Sequence, residues 1–259
     1  MLLRESGFTF DGKHSYGNFG FMYSEKDAGH QAMPAPVRNE YQIAGQSGSV
    51  LFPGETHQVM TFSGTLYPHD EPRTQMDAQA RIRAVQAWLG SGRKKLIFDY
   101  EPDKYYLAQL TQRSQWSLKN WFGGQLDITF EAQPYAYAVH ESVFTSDATQ
   151  GFIYMHPNMV TLQPAPAVIR ITNLTGYETR WVNVNNGQFV FTPLSIAQNH
   201  YLEINSETPI GATFDGTDNA LPYCTAFRPL MLNPGENTVL VTWDYSPSVR
   251  VEIRARGRW

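Results

Sequence analysis

The segment TQMDAQARIRAVQAWLG (74–90), followed by KKLIFDYEPDKYYLAQL (94–110) and GGQLDITFEAQPYAY (123–137), decides how the chain is read. Ala78, Ile82, Val85 and Leu89 are spaced by four, three and four residues, which brings them to one face of an α-helix. Thr74, three residues ahead of Asp77, resembles a capping box, and Gly90 is placed to end the helix in the left-handed conformation. The period then changes. Leu96 and Phe98, and later Leu126, Ile128 and Phe130, occupy every second position, as in strands with one apolar face. One helix laid on a sheet is the expected arrangement, because each element buries the other's apolar side.

Working toward the amino terminus, Phe8 and Phe10 alternate around Thr9 and lead into Asp11-Gly12, a pair suited to positive φ, so a hairpin is expected there. HSYGNFGF (14–21) reads as a continuing aromatic strand. Residues 24–40, SEKDAGHQAMPAPVRNE, read as a loop or arm because Pro34 and Pro36 disfavour helix and cannot donate within a sheet. Tyr41, Ile43, Val50 and Phe52 flank the AGQSGS turn as a second hairpin, and THQVMTFSGTLY (56–67) alternates like a strand.

Beyond PYAYAV the composition shifts. All six lysines precede residue 137, while asparagine rises from three before it to ten after it. A domain boundary is expected there, giving residues 1–137 and 138–259. The second part carries no convincing helix of more than a turn or two. AVIRI (167–171) reads as a buried strand, and WVNV with FVF around Asn186-Gly187 reads as a hairpin with a two-residue type I′ turn. Val239, Val241 and Trp243 share a face; Val251, Ile253, Ala255 and Trp259 oppose Glu252, Arg254, Arg256 and Arg258. Several short strands separated by turns indicate a β-sandwich.

Bulk composition excludes some functions. A net charge of −4 lacks the basic excess that neutralising nucleic-acid phosphates requires. The single cysteine, Cys224, rules out an intrachain disulfide framework and suits a reducing compartment. MLLRESGFTF has neither the basic nor the apolar segment of a signal peptide, and no stretch approaches the roughly 18 apolar residues of a membrane span, so a soluble, unexported protein is expected.

Candidate chemistry is sparse. Asp99, Glu101 and Asp103 lie two apart and would share one face of an extended strand, where they could bind calcium or act as an acid and base; the alternative is a solvated turn around Pro102. Asp215 and Asp218 around Gly216 resemble only part of a calcium loop, and His140-Glu141 lacks the second histidine of a zincin. There is no GxSxG elbow and no phosphate-binding glycine loop, and Asn173-Leu174-Thr175 fits a glycosylation acceptor by pattern alone. No catalytic residue, metal ligand or cofactor is nominated. Trp181, Tyr201 and Trp243 are candidates for stacking on sugar rings, with Trp243 better placed as core and Trp181 the residue to retain. The arginines Arg250, Arg254, Arg256 and Arg258 are expected to pair with carboxylates on the same sheet or across an interface.

The ordered set FTFDGKHSYGNFG (8–20), IAGQSGSVLF (43–52), AWLG (87–90), LIFDYEPDKYYLA (96–108) and GGQLDITFEAQPYAY (123–137) resembles the distal tail protein (Dit) family of long-tailed bacteriophages, and NPGENTVLVTWD with the closing RGRW resembles the end of such proteins. Asn18 stands where that family more often has aspartate. The resemblance implies a mainly β chain of two domains: an amino-terminal β-sandwich with one α-helix and a hairpin arm, and a galectin-like or carbohydrate-module-like β-sandwich. It implies a structural hub of the virion tail tip, not an enzyme. The partners would be five further copies in a hexameric ring, the tail tube protein, the tail-associated hub or fibre protein, and receptor-binding protein or host glycan. Tyr41, Ile43, Val50 and Phe52 would form the ring-interface arm. No cofactor, no membrane and no sequence-specific nucleic acid is implied. Two further readings stand beside it: a carbohydrate-binding protein recognising a cell-surface polysaccharide through Trp181, and a glycoside hydrolase using Asp99 with Glu101 or Asp103.

Overall fold

The structure is a computed structural model that describes residues 7–30, 36–37, 40–42, 49–51, 56–70, 74–111, 116–117, 124–207, 211–244 and 248–259. The chain is mainly β and divides into two compact units, Met1–Tyr137 and Ala138–Trp259.

In the first unit Phe8–Phe10 (β1) turns through Asp11 (φ 50°) and Gly12 (φ 73°) into Lys13–His14 (β2), the expected hairpin. Ser15–Phe19 then forms a short helix (α1), not the strand that the aromatic spacing predicted. His14 caps it: the ring Nδ1 accepts the Gly17 N–H at 3.0 Å, and Gly20 (φ 70°) stops it by turning back onto Ser15 and Tyr16. Next, Phe21–His30 (β3) runs through Ser24, where a loop was expected, because cross-strand pairing outweighs polar composition. Three short ladders' strands, Pro36–Val37 (β4), Glu40–Gln42 (β5) and Ser49–Leu51 (β6), precede Thr56–His57 (β7); β4 pairs with β7 and β5 with β6. Met60–Pro68 (β8), the helix Gln75–Leu89 (α2), Lys94–Phe98 (β9), Lys104–Leu110 (β10), Trp116–Ser117 (β11) and Gln125–Ala138 (β12) complete it. The main sheet is eight-stranded, ordered β2-β1-β9-β10-β12-β8-β3, with β11 beside β12.

The helix α2 buries Ala78, Ile82, Val85 and Leu89 as their spacing requires, and Trp88 with them. Trp88 stacks on Phe8 at 5.5 Å and on Phe19 at 4.4 Å, and its Nε1 donates to the Phe10 carbonyl at 2.7 Å. One side chain thereby ties α2, α1 and β1 together and satisfies its own buried polar atom. Thr74 caps the helix by accepting the Asp77 N–H at 3.2 Å, as expected. Gly90 does not adopt the left-handed conformation expected of it: its φ is −77° and its N–H continues the helical ladder to Gln86. The left-handed glycine is Gly92, with φ 85°. Across the sheet, Tyr23 lies over Gly64, where a Cβ would overlap its ring.

Among the described residues the second unit contains fourteen strands: Ser142–Ala148 (β13), Phe152–Met155 (β14), Asn158–Met159 (β15), Ala165–Asn173 (β16), Val182–Val184 (β17), Phe189–Phe191 (β18) and Tyr201–Asn205 (β19) come first, and Gly211–Phe214 (β20), Asp218–Asn219 (β21), Cys224–Phe227 (β22), Met231–Leu232 (β23), Gly235–Glu236 (β24), Val239–Trp243 (β25) and Val249–Ala255 (β26) follow, while Leu221–Tyr223 makes one 3-10 turn. One sheet is ordered β13-β26-β16-β19-β20-β21 with β23 beside β16; the other is β14-β25-β17-β18-β22. Their inward side chains form one aliphatic core, including Ile169, Ile171, Val182, Leu202, Ile204, Val241, Val251 and Ile253, with Phe189, Phe191 and Trp243. This is the sandwich arrangement, and it rests on strict alternation in β25 and β26. The hairpin β17–β18 exists, but not with the two-residue Asn186-Gly187 turn predicted. Val184 faces Phe189, four residues intervene, and Asn185, Asn186 and Gly187 all have positive φ. The extra length is held locally, because Asn183 Oδ1 accepts the Gly187 N–H at 2.7 Å.

Candidate functional site

Of the residues expected in a hairpin arm, Tyr41 and Val50 are directly opposed where β5 pairs with β6. Ile43 and Phe52 lie outside the described residues.

The acidic triplet does not form one site. Asp99 accepts from His14 Nε2 at 3.0 and 3.1 Å; since the same ring's Nδ1 accepts the Gly17 N–H, Nε2 is the protonated nitrogen. Glu101 accepts from the Tyr106 hydroxyl at 3.1 Å and from Lys104 Nζ at 2.6 Å, and the latter hydrogen bond raises the lysine pKa above its ordinary value. Asp103 is exposed beyond the turn. Asp99 thus serves His14, while Glu101 and, at 3.7 Å, Asp103 both face Lys104 on the turn between β9 and β10. Among the described residues no group of three or more His, Cys, Asp or Glu is arranged to hold a metal ion, and no helix is long and apolar enough to cross a membrane.

In the second unit the two sheets present unlike outer faces. On the seven-stranded sheet Arg170 pairs with Glu203 at 2.8 Å, Arg250 with Asp147 at 2.8 Å, and Arg254 with Glu203 at 2.7 Å. Arg254 Nε also lies 3.3 Å from Glu252, without the alignment of a hydrogen bond. Arg256 reaches Glu141 at 3.1 Å and donates to the carbonyls of Ala138 and Val139. The carboxy-terminal arginines that carry these contacts are therefore paired within their own unit. Tyr201 is covered by the Arg170 guanidinium at 4.4 Å from its ring centroid, which removes it as a stacking surface.

At the β19–β20 edge, a cleft of about 510 Å³ is lined by His200, Tyr201, Phe214, Asp215, Asp218 and Tyr223, among others. Burial would raise the Asp215 pKa, but the His200 ring at 2.6 Å and the Tyr201 N–H at 3.0 Å outweigh it and hold the carboxyl below its ordinary 3.8.

On the five-stranded sheet a second cleft, of about 460 Å³, lies beside Phe152, Tyr154, Trp181, Leu240 and Thr242. Trp181, the residue retained from the sequence, is 38 % exposed here, whereas Trp243 is in the core. Phe152 and Tyr154 were not singled out in the sequence, although their spacing of two after Gly151 is the signature of one strand face. Asn173 is buried, and its amide donates to the carbonyls of Tyr177 and Ile196. The glycosylation pattern is therefore a structural corner. Cys224 is partly buried, donates to the Ala226 carbonyl at 3.0 Å, and has its thiol pKa raised by burial.

Comparison with known proteins now gives the class. Residues 11–132 match the family model of the phage tail protein RIFT-related domain. The Dit protein (gp 19.1) of phage SPP1, described as a paradigm of hub adsorption apparatus in Gram-positive infecting phages, superposes with a TM-score of 0.72 over 98 % of both chains at 13 % identity. A phage p2 baseplate structure in its activated conformation with Sr also matches, at 13 % identity over 96 % of this chain and 97 % of that one, with a TM-score of 0.48, too distant to bear on the fold. None of the curated proteins matches the sequence. Residues 11–132 are thus similar to a phage tail domain, and the chain has the fold of a distal tail protein, as FTFDGKHSYGNFG and LIFDYEPDKYYLA suggested.

Proposed function

We propose that this chain is the ring-forming hub at the distal end of a long-tailed phage's tail. Residues 1–137 form a six-membered ring around a channel continuous with the tail tube, and residues 138–259 project at its periphery. The ring joins the tail tube protein to the tail-associated hub or fibre protein and carries no catalytic group. The observation that carries this reading is the match of residues 11–132 to a phage tail domain.

Physical features of the first unit favour it. Among the described residues strand β3, ten residues long, ends the sheet order and so lies at an edge. The β4–β7 and β5–β6 ladders are two-stranded among the described residues, a size that is marginal in water without further packing. A neighbouring subunit would supply both the missing strand and the missing burial. Negative-stain micrographs of the purified chain are expected to show six-fold rings with a central hole. Deleting residues 38–55 should convert rings to monomers in sedimentation velocity. A full-length chain that stays monomeric at high concentration would sink the proposal.

A further inference from the structure

We infer that the outer face of the five-stranded sheet is a binding cleft for a neutral glycan, gripped by Trp181, Phe152 and Tyr154 and oriented by Gln150 and Thr242. The inference does not depend on ring assembly.

Alternation fixes which side chains reach this face. In β14, Ile153 and Met155 turn inward while Phe152 (46 % exposed) and Tyr154 (55 %) turn outward. In β25, Val239, Val241 and Trp243 are buried, so Leu240 and Thr242 are outward, and in β17 the inward Val182 and Val184 leave Asn183 outward, with Trp181 one residue before the strand. Register then brings them together: Phe152 opposes Thr242, Tyr154 opposes Leu240, and Thr242 also opposes Asn183. Three aromatic rings thus border one hollow floored by a hydroxyl and an aliphatic chain.

Three observations select the ligand. The hollow, at about 460 Å³, falls in the size class of small-ligand sites, roughly 300–1,000 Å³. Among the described residues, no Asp, Glu, Lys, Arg or His lines it, although the opposite sheet of the same unit is crowded with charge, so an anionic polymer or nucleic acid finds no counter-charge here. Finally, the Trp181 indole N–H, the Tyr154 hydroxyl and the Gln150 amide have no hydrogen-bond partner among the described residues. A pyranose ring supplies what such a surface lacks: a C–H face to cover an aromatic ring and equatorial hydroxyls to meet unpaired donors.

The test uses the intact protein and short neutral oligosaccharides of glucose, galactose and rhamnose, with a uronic-acid polymer as anionic comparator, followed by tryptophan fluorescence and calorimetry. At least one neutral series is expected to bind saturably. Trp181→Ala and Phe152→Ala should each weaken it roughly tenfold, the change that about 1.4 kcal/mol represents. Tyr154→Phe, which keeps the ring and deletes only the hydroxyl, should weaken it less. Tyr223→Ala, in the other cleft, should leave it unchanged, and circular dichroism should show all four variants folded. Preference for the anionic polymer, unchanged affinity in Trp181→Ala, or no binding of any neutral series to the folded chain would each overturn the inference, the last pointing to a protein on this face.

Discussion

Trp88 and Trp181 stand in opposite circumstances. Trp88 is 5 % exposed, lies among Phe8, Phe10 and Phe19, and has its indole N–H bonded to a carbonyl. Trp181 is 38 % exposed, borders a cleft, and its N–H meets no described partner. The contrast extends to the units around them. The first builds its core from rings, with Phe8, Phe10, Phe21, Phe62, Phe98 and Phe130 buried, whereas the second fills a sandwich chiefly with Val, Ile and Leu and leaves Phe152, Tyr154 and Trp181 outside. A sheet sealed by a helix needs large side chains to span the gap. Two sheets with interdigitating β-branched residues do not, so aromatic side chains in the second unit remain available for recognition.

Substitutions can break this comparison in order of size. Trp88→Ala should be the most damaging, at about 3–5 kcal/mol in denaturant unfolding, because it opens a cavity and removes the buried hydrogen bond to the Phe10 carbonyl. Hydrogen exchange should locate the loss in the first unit. Gly64→Ala should cost about 1–3 kcal/mol by driving a methyl into the Tyr23 ring, and a smaller partner ring position such as Tyr23→Leu should relieve it. Thr74→Ala removes a cap and should cost about 1 kcal/mol. Trp181→Ala should shift stability by less than about 0.5 kcal/mol, since its loss is of surface and not of core. The smallest effect is read in the pH dependence of stability in acid. The Asp215 carboxyl is held below 3.8 in the folded chain, so its contribution is present above that value and disappears as pH falls through the depressed one. Asp215→Asn should therefore flatten the acid limb of a stability–pH curve and leave neutral pH nearly unchanged in slope.

Period and spacing made the architecture legible. The α2 face and the alternation of β12, β25 and β26 could be read directly, since burial of one face leaves a regular trace. Local competition hid the rest. Trp88 was missed because a minimal four-residue stripe already accounted for the helix, though Trp88 follows Val85 by three. The helix α1 was missed because its cap is a histidine ring, outside the usual Ser, Thr, Asp and Asn signals. The β17–β18 turn was misplaced because three successive residues take positive φ where Asn-Gly alone would have sufficed. For the cleft, Trp181 could be found as a lone aromatic, but its companions arrive from β14, and only the register of β14 on β25 and β25 on β17 reveals the grouping.

The paired arginines of the seven-stranded sheet also bear on how the molecule meets others. Arg170, Arg250 and Arg254 stand against Glu203, Asp147 and Glu252, so this face is a mosaic of short dipoles and not a field of one sign. Such a field decays within a Debye length of about 8 Å at physiological salt. An approaching partner receives no long-range guidance from it. Encounters through this face would proceed at the unsteered rate, on the order of 10⁵–10⁶ M⁻¹s⁻¹, and would change little with ionic strength.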